Sequence, residues 1–84
     1  MTWTVVWDAD ALNQLTRLWM RGPDRQAITE SQDRVDRELR IDADRKGAKF
    51  GPFRIFEGDP VSVLYRVDPG DCMVRVAQVR RNKP

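Results

Sequence analysis

Three kinds of pattern, in a fixed order along 84 residues, point to a small α+β domain with element order β-α-α-β-β-β. A β-branched and aromatic opening run comes first. Two stretches of helical period follow, parted by Gly22-Pro23. Three short alternating runs close the chain, separated by turn sequences rich in glycine, proline and aspartate.

Residues 2–7, Thr-Trp-Thr-Val-Val-Trp, read as a strand, with Trp3, Val5 and Trp7 on one face. Asp8 or Asp10 caps a first helix over about 9–20, whose apolar stripe is Ala11, Leu12, Leu15, Leu18 and Trp19. Gly22-Pro23 stops it, and Asp24 caps a second helix. The seam of that helix is Ala27 or Ile28, then Ser31, Val35 and Leu39. Its outer face sets Glu30 before Arg34, Asp33 before Arg37 and Asp36 before Arg40, pairs worth about 0.2–0.5 kcal/mol each on a solvated helix. Lys46-Gly47 ends the helical region, and a loop with Lys49 and Gly51-Pro52 leads to strands at about 53–57, 61–67 and 73–79. Gly58-Asp59-Pro60 and Asp68-Pro69-Gly70-Asp71 turn the chain between them, giving a three-strand meander.

Alternation assigns faces to these strands. With Phe53, Ile55, Val63, Tyr65, Val67, Val74 and Val76 as the core set under both helices, the opposite face carries Arg54, Phe56, Ser62, Leu64, Arg66, Arg75 and Ala77. Three arginines would share that face. Arginine is permanently charged and presents a rigid fork of donors, so the cluster suits a polyanion or an acidic partner, with Phe56 and Leu64 available for stacking or for apolar groups of the partner. A solvated face with arginines paired to local carboxylates is the alternative.

Composition narrows the chemistry. A hydrophobic share of 40% with three tryptophans supports a single compact core. There is no histidine and only one cysteine, Cys72, which excludes Ser-His-Asp and Cys-His catalysis, the usual zinc sites and an internal disulfide. No metal and no cofactor are expected. No apolar run approaches the roughly 20 residues of a membrane span and the opening residues lack a signal-peptide pattern, so no membrane partner and a cytoplasmic location are expected. Residues 1–45 hold 7 basic and 9 acidic side chains, a net −2; residues 46–84 hold 8 and 4, a net +4. The strand half is the basic half, ending in Arg80-Arg81-Asn82-Lys83-Pro84.

The order and motifs resemble the RelE/ParE superfamily of toxins from type II toxin–antitoxin systems. The likeness runs nearly end to end. It rests on Trp3 to Trp7 followed by Ala11, Leu12 and Leu15, on Leu18-Trp19, on Asp24-Arg25 and Ile28-Thr29, and on the Val35-Asp36-Leu39 seam. Gly51, Arg54-Ile55, Pro60-Val61, Val63, Tyr65-Arg66-Val67 and the alternating Val74, Val76 and Val79 complete it. The resemblance implies a small twisted antiparallel sheet with two helices on one face and a cognate antitoxin as partner. It also implies one of two targets: RelE-like toxins cleave mRNA in the ribosome, and ParE-like toxins inhibit DNA gyrase. A third reading is an antitoxin-binding module without toxicity.

Residue by residue, the resemblance places Arg54 at a basic position of the first hairpin strand and Arg80 or Arg81 near a basic position at the end of the last strand. Phe56 stands where RelE-like members often have lysine, Ser62 where arginine is common, and no tyrosine or histidine lies near the C-terminus. Cleavage through a 2′-hydroxyl needs a proton acceptor as well as charge stabilisation, and arginine supplies only the second. The acceptor would be Glu57, or else Asp59, with Lys46, Lys49 and Tyr65 the other titratable groups nearby. The candidate catalytic set is therefore Arg54, Arg81 and Glu57, and the candidate binding set Arg66, Arg75, Arg80, Phe56 and Lys49.

Overall fold

A computed structural model describes residues 2–82; Lys83 and Pro84 of the basic tail lie outside the described residues. Strand β1 (Thr4–Trp7) leads into helices α1 (Ala9–Arg21) and α2 (Arg25–Leu39). Four strands follow: β2 (Ala48–Phe50), β3 (Phe53–Phe56), β4 (Val61–Asp68) and β5 (Met73–Arg81), with a single 3-10 turn at Pro69–Asp71. The sheet order is β1-β5-β4-β3-β2. β2 to β5 form an antiparallel meander, whereas β1 lies parallel to β5, so the expected antiparallel sheet is mixed.

The helices close one face of the sheet. Ile28, Ser31, Val35 and Leu39 of α2 are buried as the seam required, together with Ala11 and Leu15 of α1. They pack on Trp3, Val61, Val63, Tyr65, Val74, Val76 and Val79, and each fully buried aliphatic side chain contributes about 1.5–3 kcal/mol. Leu12 and Trp19, expected in the core, are instead 41% and 39% exposed. Arg25 lies over the Trp19 ring at 4.5 Å and donates to its carbonyl at 3.2 Å. Of the three acid-before-base pairs on α2, Asp36 and Arg40 form an ion pair at 2.8 Å, while Glu30 accepts from Gln26 instead.

Two features of the sheet depart from the sequence expectation. The first is β2, where a loop was expected. Gly47 and Gly51, at φ +72° and +62°, bracket it, and Gly51-Pro52 is a two-residue hairpin turn with its glycine first. The second is a β-bulge: Leu64 pairs with Gln78 but Tyr65 with Val76, leaving Ala77 as the extra residue on β5. One extra residue reverses the alternation. Val74 and Val76 precede the bulge on the helix side, Val79 and Arg81 follow it there, and Arg75, Gln78 and Arg80 face the other way.

Candidate nucleic-acid interface

The register corrects the face assigned to the first hairpin strand. Arg54 pairs directly with Tyr65 and Phe56 with Val63, and directly opposed residues share a face. Arg54 and Phe56 therefore lie on the helix side with the core, and Phe53 and Ile55 turn to the open face. Lys49, opposite Arg54, goes with it to the helix side. Phe56 packs on the core cluster instead of offering a stacking platform.

Arg54 is occupied on that side. Its guanidinium donates from Nη1 to the carbonyl oxygens of Lys46 at 3.1 Å and Gly47 at 3.4 Å. The Tyr65 hydroxyl, fully buried, shares its proton between the carbonyls of Ala43 at 2.8 Å and Lys46 at 2.5 Å. Burial pushes this phenol up to about 12 although the nearby Arg54 charge pulls the other way, so it holds its proton at neutral pH. Lys46 in turn donates to the carbonyl of Glu38 at 2.7 Å and to its carboxylate at 3.0 Å, which holds the Glu38 carboxyl below its usual range. Together these bonds fasten the segment after α2 to the sheet.

Arg81 is occupied as well, at the other end of the sheet. Both of its terminal nitrogens donate to Asp24, each at 2.9 Å. The hydrogen-bonded guanidinium holds the Asp24 carboxyl below the ordinary aspartate range. Because Arg54 pairs with Tyr65 and Arg81 with Val61, four β4 residues and two strand spacings separate them, about 16 Å between backbones. Arg54 and Arg81 are not brought into one site.

The open face holds the remaining arginines. Arg66 and Arg75 stand directly opposite one another on β4 and β5, and Arg80 pairs with Ser62 four residues away along β4, about 13 Å. Arg75 reaches Asp8 at 3.4 Å; Arg66 and Arg80 make no side-chain hydrogen bond or ion pair among the described residues. Between the two groups lies a hollow of about 210 Å³ lined by Phe50, Ile55, Ser62, Leu64, Gln78 and Arg80. Phe50 is 61% exposed at its rim. Sequence reasoning missed Phe50, Ile55 and Gln78 because the β2 hairpin and the bulge that bring them here are properties of pairing.

Ser62 and Glu57 complete this row. Ser62 is buried, donates to the side-chain oxygen of Asn82 at 2.6 Å and accepts from the Gly58 amide at 3.3 Å, while Asn82 donates to the Gly58 carbonyl. This lattice pins the β3–β4 turn to the end of β5. Extending the β3 alternation by one residue sets Glu57, exposed and without a side-chain partner among the described residues, toward the row of Ser62 and Arg80. The face thus offers positive charge at both ends and an apolar floor. No cluster of three or more potential metal ligands exists among the described residues.

Comparison with solved structures places this architecture. A chain of the Mycobacterium tuberculosis RelBE2 toxin–antitoxin complex superposes with a TM-score of 0.76 at 17% identity, covering 98% of this chain and 93% of that one. A chain of the chromosomal ParDE system of Pseudomonas aeruginosa gives 0.77 at 17% identity, with 98% of each chain covered. A mutant of the Escherichia coli toxin RelE in the free state gives 0.60 at 20% identity, covering 96% and 84%. No protein-family model matches the chain, and no curated protein matches it in sequence. The chain has the RelE/ParE-like fold, and the resemblance drawn from its sequence holds at that level.

Proposed function

We propose that this protein is the toxin of a type II toxin–antitoxin pair and that it acts as a ribosome-dependent mRNA endonuclease, with the open sheet face as its RNA surface. The observation that carries the reading is the pairing of a toxin fold with a face on which Arg80 borders an apolar hollow rimmed by Phe50, with Arg66 and Arg75 farther along the same face. Arginine forks suit phosphates, and an exposed ring suits an unstacked base. Glu57 is the proton acceptor for a 2′-hydroxyl, and the arginines stabilise charge on the phosphate. Protonation of the leaving oxygen and alignment of the strand fall to the ribosome. Arg54 and Arg81 act from the helix side, Arg54 by fixing the segment after α2 and Arg81 as a further phosphate contact at the sheet end.

A cognate antitoxin protein is the proposed partner. Two supports exist: the solved neighbours include toxin–antitoxin complexes, one of them RelE with an antitoxin peptide, and residues 46–84 carry a net +4 that complements an acidic segment. A second reading, gyrase inhibition without cleavage, is favoured by one observation: Arg54 and Arg81 sit at separate ends of the sheet, each bound within the fold. Expression in cells, alone and with the neighbouring open reading frame, separates these readings. Arrested translation with cleaved mRNA, relieved by the neighbour, is the expected result. DNA breaks with SOS induction would transfer the protein to the gyrase reading, and unimpaired growth would remove toxicity altogether.

A further inference from the structure

Asp24 occupies the first position before α2, where an aspartate ordinarily accepts hydrogen bonds from the opening amides of the helix. Here it caps nothing. Its carboxylate is turned to Arg81, with both oxygens engaged by the two terminal nitrogens in the fork-to-fork geometry that guanidinium also adopts with phosphate. Arg25, next in sequence, takes no part because it is committed to Trp19. The chain also makes room for the pair: a Cβ on Gly22 would lie 2.5 Å from an Asp24 oxygen and 2.8 Å from an Arg81 nitrogen. The side chains of Arg81 and Asp24 retain 36% and 31% of their exposure, so the fork is accessible from solvent.

From this geometry we infer that Asp24 is an internal carboxylate competing with an RNA phosphate for the Arg81 fork, so that Asp24 sets the affinity of this end of the sheet for RNA. The inference rests on the proposed RNA-directed function and deepens it by naming the group that withholds one arginine from the ligand. An exposed ion pair exchanges readily, because its attraction is screened and it holds two long side chains at an entropic cost. A diester phosphate offers the same two-oxygen geometry.

The test is binding of a short single-stranded RNA oligomer, measured by fluorescence anisotropy across a salt series, for the wild type, Asp24→Asn, Arg81→Ala and the double variant. Asp24→Asn should tighten binding roughly 3- to 5-fold at low salt and steepen the slope of log affinity against log salt by about 0.7, the value of one added phosphate contact on a single strand. The double variant should lose both gains. Gly22→Ala displaces the pair by a different route, with an ordinary extended φ of −93°, and should reproduce the Asp24→Asn result. Unchanged affinity and slope in Asp24→Asn, or a gain that persists in the double variant, overturns the inference; so does the absence of RNA binding in every variant. Growth arrest on expression is read separately, so failure of the toxin reading is distinguishable from failure of this one.

Discussion

At the scale of single residues, two arginines that look alike in sequence do different work. Arg54 donates into the backbone beneath it, whereas Arg80 projects from the open face without an internal partner among the described residues. Arg54→Ala should cost about 1–2 kcal/mol in urea unfolding because two carbonyls lose a charged donor. Arg80→Ala should change stability by less than about 0.5 kcal/mol and weaken RNA binding or toxicity instead. Equal effects of the two on stability would refute the face assignment. Tyr65 gives a matching expectation in pH. Its hydroxyl holds its proton in the folded protein up to about 12, against the ordinary 10.0, so the unfolded chain ionises first. The Tyr65 contribution to stability should be level below pH 10 and fall as pH rises from 10 to about 12. Tyr65→Phe should abolish that fall and cost about 1–3 kcal/mol at neutral pH, because the Ala43 carbonyl loses its hydroxyl donor and the Lys46 carbonyl keeps only Arg54.

At the scale of elements, the bulge at Ala77 decides which way the end of β5 faces. Deleting Ala77 would turn Val79 out of the core and Arg81 away from Asp24, and should abolish the dispersed amide spectrum of the folded protein. Gly47→Ala should be similarly harmful for another reason. The residue has φ +72°, and its Cβ would meet the Ile55 carbonyl oxygen at 2.4 Å, so a loss of about 2 kcal/mol or more is expected in thermal unfolding.

Those elements also show what a sequence can disclose. The α2 seam of Ile28, Ser31, Val35 and Leu39 was legible because a four-residue spacing has one helical reading, and the turns were legible from their proline and glycine. The phase of Phe53-Arg54-Ile55-Phe56 was not. Both of its faces carry an aromatic or aliphatic residue, and the decision lies with the partner strand, where Tyr65 needs Arg54 beside it and Val63 needs Phe56. Strand β2 is only three residues long, with an exposed, lysine-centred pattern that carries no strand signal of its own. For the candidate site, Arg66 and Arg75 were placed on the correct face and Arg54 and Phe56 were not; Arg80 was read as tail and Lys49 as loop, with no face assigned to either, and the engagement of Arg81 by Asp24, 57 residues away, had no local signature.

At the scale of the whole molecule, charge is unevenly spread: residues 1–45 carry a net −2 and residues 46–84 a net +4, and the sheet face away from the helices holds Arg66, Arg75, Arg80 and the apolar hollow. An acidic partner would be steered to the basic side, so its association rate should fall steeply between about 50 and 500 mM salt while its dissociation rate changes little. Stopped-flow measurement with a purified antitoxin would check this, and a salt-independent association rate would show that steering plays no part.

The parallel pairing of β1 with β5 has a temporal meaning for a nascent polypeptide. Thr4–Trp7 emerges first, yet its only sheet neighbour is Met73–Arg81, which is translated last among the strands. Loop closure over some seventy residues must precede that contact, and α1 and α2 have only an unfinished sheet to rest on until then. Synthesis therefore yields no completed sheet, and no finished open face, before β5 is available to pair with β1.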